Sequence, residues 1–232
     1  MEFLPMVAAL RLVFVFAFFG LFCGGVALPA YADDDAAAPA MQGHAVAVKT
    51  PTGQFVQNLG DTVIAIVADK KITPDQRTEK FREILRTSFD LQTIGRFVIG
   101  RTWNTATPDQ QQEYMRLFQE LVIKNYGSQM SLYTGEGFQV VNTRIESEKD
   151  TVVNSQITHP DGSQPTLVDW RVRLRDGKLG IIDVVVEGVS LSVTQRQEYA
   201  SVIQRNDGQI EGLLALMRQQ IDTPENNSKS PD

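Results

Sequence analysis

DVVVEGVSLSVTQRQEYASVIQR, residues 183–205, is the run whose reading decides the fold. It opens as a β-branched strand, and Gly188 then permits a bend or bulge where a side chain would clash. Val189, Leu191 and Val193 alternate with Ser190, Ser192 and Thr194, the period of a half-buried extended segment. Thr194 is the expected N-cap of the helix that follows, with Gln197 as its capping-box partner. The run holds no nucleophile with its base, no metal cluster and no phosphate loop. A sheet edge that bends and delivers a helix, lined with small and apolar residues, is the construction of a pocket wall.

Working outward, the residues from Gly137 up to this run have period 2. Strands are expected at 138–146, 151–158, 166–175 and 178–187, with a hairpin at Asp176-Gly177 and a turn at Pro160-Asp161-Gly162. In the third, Val168, Trp170, Val172 and Leu174 share one face, and Leu167, Asp169, Arg171, Arg173 and Arg175 the other. This is an antiparallel meander with one face inward. Helices at 195–205 and 209–220 close over it. Upstream the period is helical: 54–70, with Phe55, Leu59, Val63, Ile66 and Val67 in a stripe, then two starts of the form Thr-Pro-Asp-Gln at Thr73 and Thr107. Phe81, Ile84, Leu85 and Phe89 form the stripe of the second helix, and a short helix at 91–99 stops at Gly100.

The longest helix runs from Thr107 to about Tyr133. Met115, Phe118, Val122, Tyr126, Met130 and Tyr133 form one face, which Tyr114, Leu117 and Leu121 widen beyond an ordinary amphipathic stripe. It is either a central core helix or one whose Tyr126, Met130 and Tyr133 end lines a cavity. The fold class is α+β: an antiparallel sheet of four or more twisted strands against a helical layer.

The chain has 232 residues, 22 Lys+Arg and 28 Asp+Glu, for a net charge of −6. Arg11, the apolar run 12–22 and Ala30-Tyr31-Ala32 read as a secretory leader cleaved after Ala32. Its removal takes away Glu2 and Arg11, one charge of each sign. The only cysteine, Cys23, lies in that leader behind bulky Phe22, which disfavours acylation and leaves the mature chain without a thiol. Residues 33–52 read as a disordered linker that includes an inert His44, 53–221 as the folded domain and 222–232 as a disordered tail. An acidic chain lacks the basic footprint of nucleic-acid binding. Adhesion to anionic lipid surfaces by net charge is excluded on the same ground.

Few residues invite catalysis. A two-residue turn at Asp176-Gly177 places Asp183 opposite Trp170, where a carboxylate with a raised pKa can serve as a general base. The alternative is that Asp183 accepts hydrogen bonds from Trp170, a tyrosine or the backbone and orders the wall; no second acid or base accompanies it. Glu187, beside the Gly188 bend, is expected to receive Arg171 or Arg101 and fix the bend. His159 has no mature histidine partner except His44, which makes a metal site improbable. Gly95 and Gly100 lack phosphate-loop spacing. No metal and no cofactor are expected.

The stretch 183–190, preceded by Val168-Asp169-Trp170-Arg171, resembles the MlaC or toluene-tolerance family of periplasmic lipid-binding proteins. Further matches are 94–101 (IGRFVIGR), 106–110 (ATPDQ) and Pro160-Asp161-Gly162, and together the resemblance covers roughly residues 55–221. Residues 193–196 (VTQR) and 199–205 (YASVIQR) look closest to the branch labelled HpnM, associated with hopanoids. The resemblance implies an NTF2-like sheet-and-helix body and a monomeric, non-enzymatic periplasmic carrier. Such a carrier shuttles phospholipid between an inner-membrane ABC transporter with a substrate-binding ring and an outer-membrane lipoprotein–porin complex, maintaining outer-membrane lipid asymmetry. A hopanoid or other polycyclic lipid is the alternative cargo, and an enzyme using Asp183 the alternative activity. The candidate cavity residues, inferred from the expected inward faces, are Phe97, Phe118, Val122, Tyr126, Met130, Tyr133, Trp170, Val172, Val185, Val189 and Leu191.

Overall fold

Three Thr-Pro pairs start three of the five described helices of the N-terminal half. The computed structural model describes residues 50–127 and 133–223; the leader with Cys23, His44, Met130 and the tail beyond 223 lie outside the described residues. Helix α1 spans Pro51–Ala68, where Thr50 accepts from the Gly53 N–H at 2.9 Å. It begins three residues before the expected start because Thr50-Pro51 is a third copy of the signal recognised at Thr73 and Thr107. Helix α2, Pro74–Ser88, carries a full capping box: the Gln76 N–H donates to Thr73 Oγ1 and the Thr73 N–H to Gln76 Oε1. Helix α3, Leu91–Ile99, is capped by Asp90 and ends at Gly100, whose φ of +64° suits only glycine well. A single turn, α4 (Thr102–Thr105), leads to α5, Pro108–Gly127, opened by the same box from Thr107 and Gln110.

The strands are β1 (Gly137–Ile145), β2 (Asp150–Thr158), β3 (Thr166–Arg175), β4 (Lys178–Val186) and the two-residue β5 (Val189–Ser190), antiparallel in the order β1-β2-β3-β4-β5. The chain closes with α6 (Leu191–Arg205) and α7 (Ile210–Asp222). The fold is α+β, as the alternation of periods requires.

Three details of residues 183–205 differ from the sequence expectation. First, β4 carries a bulge: Val172 pairs with Ile181 but Arg171 pairs with Asp183, so Ile182 is an extra residue. Asp183 therefore lies opposite Arg171, and Val184 takes the place opposite Trp170. Second, the bend allowed at Gly188 is a two-residue hairpin turn centred on Glu187 and Gly188, with φ of +48° and +80°, and its partners differ from those expected. Positive φ at both central residues is the requirement of a type I′ turn, which Asp176-Gly177 meets in the same way. Glu187 receives neither Arg171 nor Arg101; its Oε1 accepts from the Leu167 N–H at 2.6 Å, while Arg171 pairs with Glu146. Third, the extended alternation stops at Ser190. That residue, not Thr194, caps the helix by accepting from the Val193 N–H at 3.1 Å, and Leu191 is already helical.

Asp183 explains the early helix start. Its carboxylate accepts from the Ser190 hydroxyl at 2.7 Å, the Ser192 N–H at 3.2 Å and the Val184 N–H at 2.9 Å. A carboxylate at the N-terminus of α6 satisfies orphan amides and opposes the positive end of the helix dipole.

The buried apolar residues form two clusters rather than one. One is helical, with Val98, Tyr114, Leu117, Phe118, Leu121, Tyr199, Leu213, Leu214 and Met217. The other joins the inner face of the sheet to α1 and α2, with Val56, Leu59, Ile84, Val140, Val153, Trp170, Val172, Ile181 and Val184. Gln57 secures α1 to the free edge of β1, its Oε1 accepting from the Val140 N–H at 2.8 Å. On the helical side Lys124 of α5 donates to the carbonyls of Gln220, Ile221 and Thr223, satisfying the end of α7.

Candidate functional site

Between the two clusters lies a cavity of about 260 Å³. The helical cluster contributes Val98, Phe118, Leu121 and Tyr199 to its lining, and the sheet cluster contributes Leu59, Ile84, Trp170 and Val184. Half-buried apolar residues complete it: Val63, Ile64 and Val67 of α1, Phe81 of α2, Phe89, Leu91 and Ile94 around the start of α3, and Phe138 and Ile157 of the sheet. The ring of Phe138 reaches the space because Gly60 has no side chain: a Cβ there would stand 2.1 Å from Phe138 Cδ1. Phe138 meets Trp170 edge-on, ring centroids 6.1 Å apart. The indole N–H of Trp170 donates to Ser155 Oγ at 2.9 Å, which leaves its ring face to the apolar side.

The two carboxylates in the lining, Asp183 and Glu136, are occupied by the chain itself. Asp183 holds the start of α6, as described. Glu136 accepts from the Thr134 N–H and hydroxyl and from the Gly135 N–H at 2.7–3.1 Å. Burial pushes the Glu136 carboxyl up, but these hydrogen bonds outweigh it and hold the group below the ordinary value. Tyr133 donates to the Glu136 carbonyl at 3.2 Å. At the α5–α6 side, burial raises the Tyr126 and Tyr199 phenols, and the nearby Glu198 carboxylate adds to both shifts. Glu198 is itself raised by burial, opposed by its hydrogen bond from Gln195. These shifts mark a low-dielectric surround. Among the described residues no group of three or more His, Cys, Asp or Glu is placed to hold a metal ion.

Of the residues proposed from sequence, the structure brings Phe118, Val122, Tyr126, Tyr133, Trp170 and Leu191 to this one space. Met130 lies outside the described residues. The other four stand elsewhere. Phe97 points outward from α3, 41% exposed, with the Arg196 guanidinium over its ring. Val172 is buried in the sheet cluster and contributes packing instead. Val185 faces the opposite side of the sheet, in the row of Asp169 and Ser190, because the bulge reverses the alternation after Asp183. Val189 is 57% exposed, because it follows the type I′ turn in the two-residue edge strand β5, which pairs with β4 on one side and, among the described residues, has no strand on the other. The contribution of α1 was missed. Its stripe of Leu59, Val63, Ile66 and Val67 is visible in the sequence, but a stripe does not say whether it faces side chains or a void.

The family model described as MlaC protein matches residues 57–219, most of the chain. The chain belongs to the MlaC family. Among relatives, the toluene tolerance protein ttg2D of Pseudomonas putida is 24% identical over 174 residues, covering 73% of this chain and 80% of its own length. The intermembrane phospholipid transport system binding protein MlaC of Haemophilus influenzae is 22% identical over 182 residues, covering 73% of this chain and 82% of its own. A solved structure with the same fold is the phospholipid-binding protein from Ralstonia solanacearum in complex with a phospholipid. Its TM-score is 0.63 at 24% identity, covering 72% of this chain and 95% of the other.

Proposed function

We propose that this MlaC-family protein is a periplasmic phospholipid carrier that takes acyl chains into the cavity between its two cores. The observation that carries the reading is the split itself. A domain of this size ordinarily buries one contiguous core, whereas here two apolar clusters face each other across a space lined almost wholly by hydrocarbon. Each acyl CH₂ moved from water into such a space gains ~0.8 kcal/mol. Two chains therefore supply the driving force without any polar anchor. The lipid completes the core.

The carrier performs no chemistry. Both carboxylates in the lining are engaged by the chain itself, Glu136 by its own turn and Asp183 by the start of α6, and neither is left for a reacting group. In this reading residues 1–32 direct export and are removed, and 53–221 form the lipid-binding domain. The protein exchanges cargo with an inner-membrane ABC transporter bearing a substrate-binding ring and with an outer-membrane lipoprotein–porin complex, sustaining lipid asymmetry. The relatives named for phospholipid binding and transport support the choice of cargo. A polycyclic lipid is the alternative cargo, for which the sequence similarity of 193–205 to the hopanoid-associated branch speaks.

Native mass spectrometry of protein purified from the periplasm without added lipid tests the reading. The expected spectrum shows a complex whose mass excess is released on collision as a diacyl phospholipid. Release of a polycyclic lipid selects the alternative cargo. A spectrum of protein alone at every collision energy removes the carrier reading.

A further inference from the structure

The chain is acidic overall, yet residues 91–108 contain no Asp or Glu and carry Arg96 and Arg101. The structure folds this acid-free run against the outer side of α6. The Arg196 guanidinium lies over the Phe97 ring at 4.9 Å, and a Cβ on Gly100 would stand 3.4 Å from Arg196 Nη2. Arg96 covers the Trp103 ring at 4.8 Å. Arg96 and Arg196 are exposed, as is Arg101, which follows Gly100 at the start of α4; Phe97 and, one turn back on α6, Val193, 42% exposed, belong to the same junction. None of the three arginines takes part in the ion pairs found among the described residues. The acid nearest in sequence on α6, Glu198, is half-buried beside Tyr126 on the cavity side.

We propose that this arginine–aromatic surface at the junction of α3, α4 and α6 is the docking site for a protein partner that presents an acidic surface. The placement rests on the carrier reading above and says where the carrier docks. Stacking an arginine on an aromatic ring holds the guanidinium plane fixed while its N–H edges stay available for bidentate contact with carboxylates. Arginine and aromatic residues are also the types that dominate interface energetics. Charge complementarity favours a protein over a bilayer, because a net charge of −6 repels an extended anionic surface while a local patch can meet a local acidic one. The same helices carry Leu91, Ile94 and Val98 of α3 and Leu191, Ser192 and Gln195 of α6 into the cavity from their other sides. A partner on this surface bears directly on the cavity wall, so docking and cargo exchange share one mechanical element.

The test uses the full mature protein with its copurified lipid. The probe is the purified soluble ring domain of the inner-membrane transporter from the same organism, at two salt concentrations. Arg101→Glu combined with Arg196→Glu is expected to weaken binding at least about tenfold, with affinity falling as salt rises. The control Arg82→Glu, on the exposed face of α2, is expected to leave affinity unchanged, and lipid content and melting temperature are measured for each variant. Arg101→Gln with Arg196→Gln serves if the reversal does not fold. Unchanged affinity in the double variant overturns the site. So does loss of binding to vesicles of 70:30 phosphatidylcholine and phosphatidylglycerol with ring binding intact, which assigns the patch to the membrane. A wild-type protein that carries lipid but ignores the ring overturns the docking inference alone. One that carries no lipid overturns the carrier reading.

Discussion

At Asp183 one buried carboxylate accepts three hydrogen bonds from the chain just after it, two of them at the first turn of α6. The neutral isostere Asn keeps the shape but turns one acceptor into a donor and removes the charge. Hydrogen bonds to a charged group are worth roughly 1.5–3 kcal/mol each, so Asp183→Asn is expected to lower stability by about that much. Lipid carried per folded molecule should stay the same, because the side chain supports the wall without anchoring cargo. Chemical denaturation measures the first and native mass spectrometry the second. A variant that melts normally but has lost a turnover returns Asp183 to the role of general base. The sequence pointed at this residue and at backbone donors that order the wall, but it set Trp170 opposite where Arg171 stands and did not single out the Ser190 hydroxyl. Two adjacent isoleucines, Ile181 and Ile182, hide the bulge, since a slip between identical side chains leaves no trace in the pattern.

At the scale of elements, starts were more legible than connections. Thr73 and Thr107 declare their helices because capping is local chemistry, and β3 spans Thr166–Arg175 as its alternation requires. Ser190 was passed over because Ser190-Leu191-Ser192-Val193 satisfies both an extended and a helical reading, and only Asp183, seven residues earlier, decides between them. The meander is also tied by pairs that no local pattern reveals. Arg173 of β3 makes a two-point contact with Asp150 at the start of β2, both distances 2.7 Å. The hydrogen bonds from Arg173, opposed by burial and assisted by nearby cations, hold the Asp150 carboxyl below its ordinary value of 3.8. A depressed carboxylate stabilises the folded state above its unfolded pKa, and that contribution is lost as pH falls through the folded one. Asp150→Asn is therefore expected to be less stable than the parent at pH 7, with the gap closing as pH drops below 3.8. Thermal melts from pH 7 to pH 3 give the comparison; a gap independent of pH means that the contact acts through shape alone.

For the whole molecule, the question is whether the space between the two cores belongs to cargo or is slack in the packing. The sequence supplied enough apolar residues for either, and its patterning assigned most of them to inward faces. Whether inward faces touch or stand apart depends on helix positions fixed by contacts distant in sequence, such as Lys124 on the end of α7 and Gln57 on the edge of β1. Val122 of α5 separates the two possibilities. It lines the cavity, half-buried, with the helical cluster behind it. Replacement by Trp adds a large rigid ring directed at the space. In a closed core such overpacking costs typically 1–3 kcal/mol and forces neighbours off their rotamers. Where a cavity stands open, the ring instead gains contacts with Phe81, Phe138 and Trp170 across the gap and occupies the volume that acyl chains need. Val122→Trp is thus expected to fold, to melt at or above the temperature of delipidated parent protein, and to purify with only a minor fraction of the parent's lipid. Melting and lipid extraction on one preparation check both halves. A destabilised variant that still carries its full complement of lipid would place the acyl chains elsewhere, and one that cannot fold would mean that the two cores are in truth one.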